Sequence, residues 1–177
     1  MEKLPFQASY VILRPYDFVN DPPKLVHHLF TTLNNKKGIA RLQREDEFFK
    51  EAPEDQIRFV AEIEGEIYST ITLIRKRWEK DKFGVYSVVT AEKFRGTGLS
   101  QVLFCYACRW AKQHEGRFLL LSTWEDNSQA RRYYEKVGFK QYGLLPNGLL
   151  NRKGKGFINQ IFYYYNLDWM NEKEKFD

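Results

Sequence analysis

The segment EKFRGTGLSQVLF, residues 92–104, places two glycines and an arginine directly ahead of an apolar run. It lacks the lysine that follows the glycines of a P-loop. A dinucleotide fingerprint is also disfavoured, because Gln101 stands where its third glycine belongs. A third interpretation fits better: residues 95–100 open a helix, where backbone N–H groups and the helix dipole favour an anion. Since this loop has no acidic metal ligand, we expect it to bind a diphosphate without a metal.

The rest of the chain predicts a mixed α/β (α+β) domain with a central sheet. The turn at 64–66 and the glycine at 138 mark the end of a strand and the end of a helix. Apolar residues that alternate along a segment, or that recur with the helical period, predict the strands and helices themselves. Strands are predicted near 10–13, 57–63, 67–74, 83–89, 118–121, 140–145 and 157–166, and helices near 23–33, 42–50, 99–112 and 127–137.

Length and charge restrict the class of protein. The 177 residues suit one domain, 1–177, with a polar tail at about 171–177. No apolar stretch approaches the ~20 residues of a membrane span, and the N-terminus has no signal-peptide core, so we expect a cytoplasmic protein. The formal charge of +5 suits anionic ligands. The basic runs 75–80 and 151–156 are short, and we expect solvated turns there and no nucleic-acid partner.

The two cysteines, Cys105 and Cys108, lie inside the predicted helix 99–112. A redox pair would sit at a helix N-terminus, and a zinc site would need two more ligands, for which His114 is a poor supply. We expect both cysteines to be buried small apolar side chains. No metal site is predicted.

Two ordered motifs resemble the GNAT N-acetyltransferases. Residues 95–100, RGTGLS, are similar to that family's R/Q-x-x-G-x-G/A acetyl-CoA motif, although Ser100 stands where the family usually has glycine or alanine. Residues 127–139, NSQARRYYEKVGF, are similar to its N-x-x-A-x-x-x-Y-E-x-x-G-F helix. The valines at 88–89 and the segment at 13–15 also resemble parts of the family.

The resemblance implies a GNAT-like, mostly antiparallel sheet of about seven strands flanked by about four helices. It also implies transfer of acetyl from acetyl-CoA to a primary amine of a small molecule or protein, by direct attack in a ternary complex. A non-catalytic acyl-CoA-binding or regulatory module on the same fold stays open, and a homodimer is compatible with the sequence. The residues expected to bind the coenzyme are Val88, Val89, Arg95, Gly96, Thr97, Gly98, Leu99, Ser100, Asn127 and Tyr134.

The resemblance also suggests catalytic roles. Tyr134 occupies the position of the family's general acid, with its neighbour Tyr133 expected in the core. Backbone N–H groups at a bulge near 88–89 would stabilise the oxyanion. Many members have a glutamate base on the strand before the loop, but 83–89 has no carboxylate, which leaves Glu125 as the candidate. The segments 18–52 and 146–156 are expected to shape the acceptor site.

Overall fold

The computed structural model describes residues 10–17, 19–21, 29, 55–151, 154 and 156–170. These residues form a seven-stranded sheet with the order β1-β2-β3-β4-β5-β7-β6. Its β4–β5 pair is parallel and its other neighbouring pairs are antiparallel. The strands are β1 (Val11–Pro15), β2 (Gln56–Ile63), β3 (Glu66–Lys76), β4 (Glu79–Thr90), β5 (Phe118–Trp124), β6 (Lys140–Leu150) and β7 (Phe157–Asn166).

The helices of the described ranges are α1 (Leu99–Gln113) and α2 (Ser128–Lys136), with 3₁₀ turns at Glu92–Phe94 and Leu167–Trp169. The predicted mixed class and seven strands are confirmed. About four helices were expected, whereas the part of the chain that the structure describes contains these two. The predicted helices at 23–33 and 42–50 lie outside it, apart from Leu29, which is helical and buried.

Among the described strands, β4 and β6 extend farthest beyond the bounds that the sequence pattern predicts. β4 begins at Glu79 rather than near Phe83, because the basic run 75–80 folds into two strand ends around a two-residue turn. β6 continues past Pro146 to Leu150. Since β6 is an edge strand, a proline can be accommodated there without breaking an inner ladder, and the pairing with β7 shifts register across this region.

Both helices lie on one face of the sheet. α1 packs over β2, β3 and β4. There the ring centroid of Trp110 lies 5.6 Å from that of Phe59 and 5.8 Å from that of Phe83. Phe104 of the same helix contacts Phe139, which follows α2, at 5.5 Å. Cys108 is buried in this core, as expected, and Cys105 is half-buried. Among the described residues, neither helix has the length and apolar composition that a membrane span requires.

Candidate functional site

The parallel strands β4 and β5 stay together for only a short distance. Their register covers Lys82↔Phe118, Phe83↔Leu119 and Gly84↔Leu120. Beyond this point β4 continues to pair with β3 and β5 with β7, so a gap opens between the two parallel strands. Ligands of open α/β sheets bind at the carboxyl ends of such strands. The gap beyond Gly84 is therefore the first candidate for a site.

A bulge in β4 borders this gap. Thr70 pairs with Val89 and Thr72 with Tyr86, so β4 has one more residue than β3 in this interval. Ser87, inside the interval, has a φ of 49°, which is uncommon for a residue other than glycine. Bulges bend a strand and redirect its backbone groups. The structure thus has the bulge that was expected beside the two valines at 88–89.

The loop before α1 presents backbone donors. The N–H groups of Gly96, Gly98 and Ser100 have no hydrogen-bond partner among the residues that the structure describes. Gly96 and Gly98 have φ angles of 78° and 90°, which glycine adopts without strain. The hydroxyl of Thr97 turns inward and donates to the carbonyl of Phe94 at 2.8 Å. Together with the dipole of a 15-residue helix, these free donors form a cradle for an anion.

Arg95 adds a positive charge at this cradle. Its side chain is exposed, and its Nε donates a long hydrogen bond of 3.4 Å to the carbonyl of Thr90 at the end of β4. An arginine held loosely at a loop can turn toward a phosphate and bind it through two donors.

Tyr134 lies on the helix face beside the gap. Its ring centroid lies 6.1 Å from that of Tyr163 of β7. Tyr163 in turn pairs with Leu121 of β5, which is one residue past the last β4–β5 pair. The side chain is half-buried, and burial raises the pKa of the Tyr134 phenol above its ordinary value. Its hydroxyl has no partner within the described ranges. The phenol is therefore protonated at neutral pH and available as a donor.

The neighbouring Tyr133 connects the two motifs. Its hydroxyl donates to the carbonyl of Ser100 at 3.0 Å, and burial raises its pKa well above that of a free phenol. It was expected only to fill the core. The hydrogen bond instead fixes α2 against the first turn of α1, and sequence spacing gives no signal for such a contact.

Asn127 and Glu125 stand at the end of β5. Asn127 caps α2 as predicted, accepting from the N–H of Ala130 at 3.4 Å, while its Nδ2 donates to Thr123 Oγ1 at 3.1 Å. Glu125 Oε2 accepts from Asn159 Nδ2 at 2.9 Å. The structure thus holds both side chains just past the strand that borders the gap.

A cavity of about 180 Å³ lies on the sheet face opposite the helices. Phe83 packs on α1, so the alternation of β4 turns Gly84 and Tyr86 to this other face. The segments 18–52 and 146–156, which we expected to shape the acceptor site, lie largely and partly outside the described ranges, and the described residues of both are absent from the lining. Residues from both strands of the gap line the cavity, together with neighbours on β3, β6 and β7: Lys76, Val85, Tyr86, Leu120, Leu121, Ser122, Tyr142 and Phe162.

Comparison with known proteins agrees with this architecture. Residues 24–139 match the family model described as Acetyltransferase (GNAT) family. Comparison of the chain with curated proteins gives no match.

Solved structures show the same fold. A protein from Desulfovibrio desulfuricans described as an acetyltransferase of the GNAT family has a TM-score of 0.77 at 15% identity, over 89% of this chain and 99% of that one. The ribosomal-protein-S18-alanine N-acetyltransferase of Escherichia coli has a TM-score of 0.68 at 15% identity, over 92% and 97%. A Bacillus anthracis protein described as a streptothricin acetyltransferase, in complex with acetyl coenzyme A, has a TM-score of 0.56 at 25% identity, over 65% and 64%.

Proposed function

Because the chain belongs to the GNAT acetyltransferase family, we propose that it transfers acetyl from acetyl-CoA to a primary amine of a small molecule or protein. The observation that carries this proposal is the gap between β4 and β5. The anion cradle and Tyr134 lie on its helix face, and the 180 Å³ cavity lies on its other face. A coenzyme and an acceptor can therefore meet at the gap from opposite sides.

In this proposal the loop holds the coenzyme diphosphate. The unpaired N–H groups of Gly96, Gly98 and Ser100 donate to its oxygens, and Arg95 supplies charge. The whole segment from Arg95 to Ser100, including Thr97 and Leu99, lies against the phosphates. The pantetheine arm then runs along β4 past Val88 and Val89 toward Asn127 and Tyr134, which brings the thioester to the gap.

The reaction needs a neutral amine. An alkylammonium has a pKa of about 10.4 and must lose a proton before its nitrogen can attack. The nitrogen then bonds to the thioester carbonyl carbon, and the backbone N–H group of Val88, which follows the bulge, stabilises the oxyanion. When the C–S bond breaks, Tyr134 donates its proton to the leaving sulfur. The products are the amide and the CoA thiol, and the second proton of the amine nitrogen restores the phenol.

Glu125 is the proposed base. It follows directly on β5, whose Leu121 and Ser122 line the cavity. Its carboxylate is held by Asn159 and does not itself form part of the lining. A water molecule therefore has to relay the proton from the amine to Glu125.

The proposal is tested by replacing Tyr134 with phenylalanine. With a panel of amines and a free-thiol readout, Tyr134→Phe should lower turnover by about 10²- to 10⁴-fold, the usual scale for a lost proton donor. CoA affinity, measured by calorimetry, should stay unchanged. Tyr133→Phe is the matched control, since it removes a neighbouring phenol oxygen that has a structural partner, and it should retain turnover.

Two outcomes would contradict the proposal at different levels. Full turnover in Tyr134→Phe would remove this residue from the mechanism. Binding of acetyl-CoA without thiol release for any amine would instead favour the non-catalytic acyl-CoA-binding module.

A further inference from the structure

We propose that the cavity takes an acceptor that combines an aromatic ring with an anionic group, a carboxylate above all, and that Lys76 binds this anion. The inference rests on the proposed N-acetyltransferase function and names its acceptor class. It depends on three features of the cavity: an unpaired cation, exposed aromatic rings, and the size and direction of the space.

Lys76 is the unpaired cation. It lines the cavity and is half-buried, and its ammonium group makes no ion pair or hydrogen bond with any residue that the structure describes. Basic neighbours on the same hairpin are engaged: Lys82 pairs with Glu79, and Arg75 donates to the carbonyl of His114 at 2.6 Å. A half-buried ammonium without a partner is stabilised by an anion placed beside it.

Aromatic rings form the walls. Tyr86 and Tyr142 are 44% and 56% exposed, and Tyr142 contacts the ring of Phe162 at 6.0 Å. The Tyr86 ring folds back over Gly84, where an added Cβ would come within 2.6 Å of its Cε2. Exposed rings that line a concave surface are typical of ligand sites. Such walls favour a flat apolar group and offer no negative charge to a second ammonium.

The size and direction of the cavity fit one substituted ring. An apolar cavity of about 150 Å³ can hold benzene, so 180 Å³ has room for a ring and a short substituent. Gly84 pairs with Ile74 of β3, and Lys76 lies two residues beyond Ile74, beside the part of β4 that precedes Gly84. The gap opens beside the part of β4 that follows Gly84. Lys76 and the gap therefore lie at opposite ends of the cavity. The acceptor should therefore carry its anion at one end and its amine at the other.

The test compares two acceptors that differ in charge alone. 4-(Aminomethyl)benzoate and 4-(aminomethyl)benzamide share the ring and the amine. With acetyl-CoA and a free-thiol readout, kcat/KM should favour the benzoate by about tenfold, the lower range for a charge-assisted hydrogen bond. Lys76→Met should abolish the preference. Lys80→Met, which removes a charge from the same hairpin outside the cavity lining, should retain it.

A charge reversal gives an effect that loss of structure would not produce. Lys76→Glu should reject the benzoate and favour the dication 1,4-bis(aminomethyl)benzene. 6-Aminohexanoate, which has the anion without the ring, should be a poorer acceptor than the benzoate. Equal kcat/KM for benzoate and benzamide in the wild type, or an unchanged preference in Lys76→Met, would overturn the proposal.

Direct binding separates this inference from the proposed function. Calorimetry with 4-methylbenzoate and 4-methylbenzamide on the CoA-loaded protein needs no turnover. Binding of the benzoate that is lost in Lys76→Met supports the cavity assignment even if no amine is acetylated, in which case only the proposed function fails. Absence of benzoate binding to the wild type, or benzoate binding that Lys76→Met retains, overturns the assignment.

Discussion

A substitution at Gly96 separates coenzyme binding from stability, because the chain offers a matched control. Gly96 has a φ of 78° and Gly65, in the β2–β3 turn, has a φ of 80°. A Cβ added at either position would meet no atom within 4 Å. Alanine at each site therefore pays the same cost for a left-handed backbone, about 1–2 kcal/mol. A difference in coenzyme affinity between the two variants therefore reports contact with the ligand and not backbone strain.

The shared cost predicts a similar loss of thermal stability. For a chain of 177 residues, about 1 kcal/mol lowers Tm by roughly 2–4 °C. Gly96→Ala and Gly65→Ala should both melt a few degrees below the wild type, with transitions of equal steepness.

Coenzyme affinity should distinguish them. At Gly96 the new Cβ would stand beside a free N–H group in the proposed diphosphate cradle and push the phosphate away. A lost hydrogen bond to a charged group costs about 1.5–3 kcal/mol, or a factor of roughly 10–100 in Kd. Calorimetric titration with CoA should show this loss for Gly96→Ala and wild-type affinity for Gly65→Ala. Equal affinities in the two variants would refute the cradle.

Two further substitutions test the packing around the motifs. Tyr133→Phe removes the hydrogen bond from its hydroxyl to the carbonyl of Ser100 and should lower the free energy of unfolding in urea by about 1 kcal/mol. Burial raises the pKa of Tyr133 above 10.0, so its contribution to the free energy of unfolding is complete below about pH 10 and declines as the unfolded state ionises at higher pH. The variant should therefore lose less stability at alkaline pH than the wild type. An unchanged alkaline stability profile would contradict the assignment. Replacing Cys105 and Cys108 together by serine should lower stability, because Cys108 is 1% exposed. Activity per folded molecule should not change, and its loss in a well-folded variant would argue for a functional role.

Local sequence signals predicted the elements that depend on local chemistry. Asn127 and Gly138 mark both ends of α2, because a side-chain cap and a left-handed residue are needed where helical hydrogen bonds stop. The turn at Glu64-Gly65 follows from the same reasoning, since both residues have positive φ. These features are set by neighbours within a few residues, and a single sequence is enough to find them.

The gap and the cavity depend on contacts that are distant in sequence. Serine at position 87 gives no hint of the positive φ that accompanies the bulge, because the bulge is set by pairing with β3. The cavity combines Lys76 with Phe162 across most of the sheet. The sequence pattern of each strand predicts which of its side chains share a face. It does not predict which strands become neighbours, because that is decided by the parallel β4–β5 crossover.

Under the proposed function, the arrangement around Gly84 lets one strand border both substrates. Up to Gly84, β4 is held between β3 and β5, and Phe83 anchors it to α1. Beyond Gly84 only β3 holds it, so its backbone is open toward the gap while Tyr86 faces the cavity. In the proposed reaction, backbone groups of β4 therefore face the coenzyme, whereas the side chain of Tyr86 faces the acceptor. On this proposal, a substitution at Lys76 alters the acceptor side and leaves the coenzyme side unchanged.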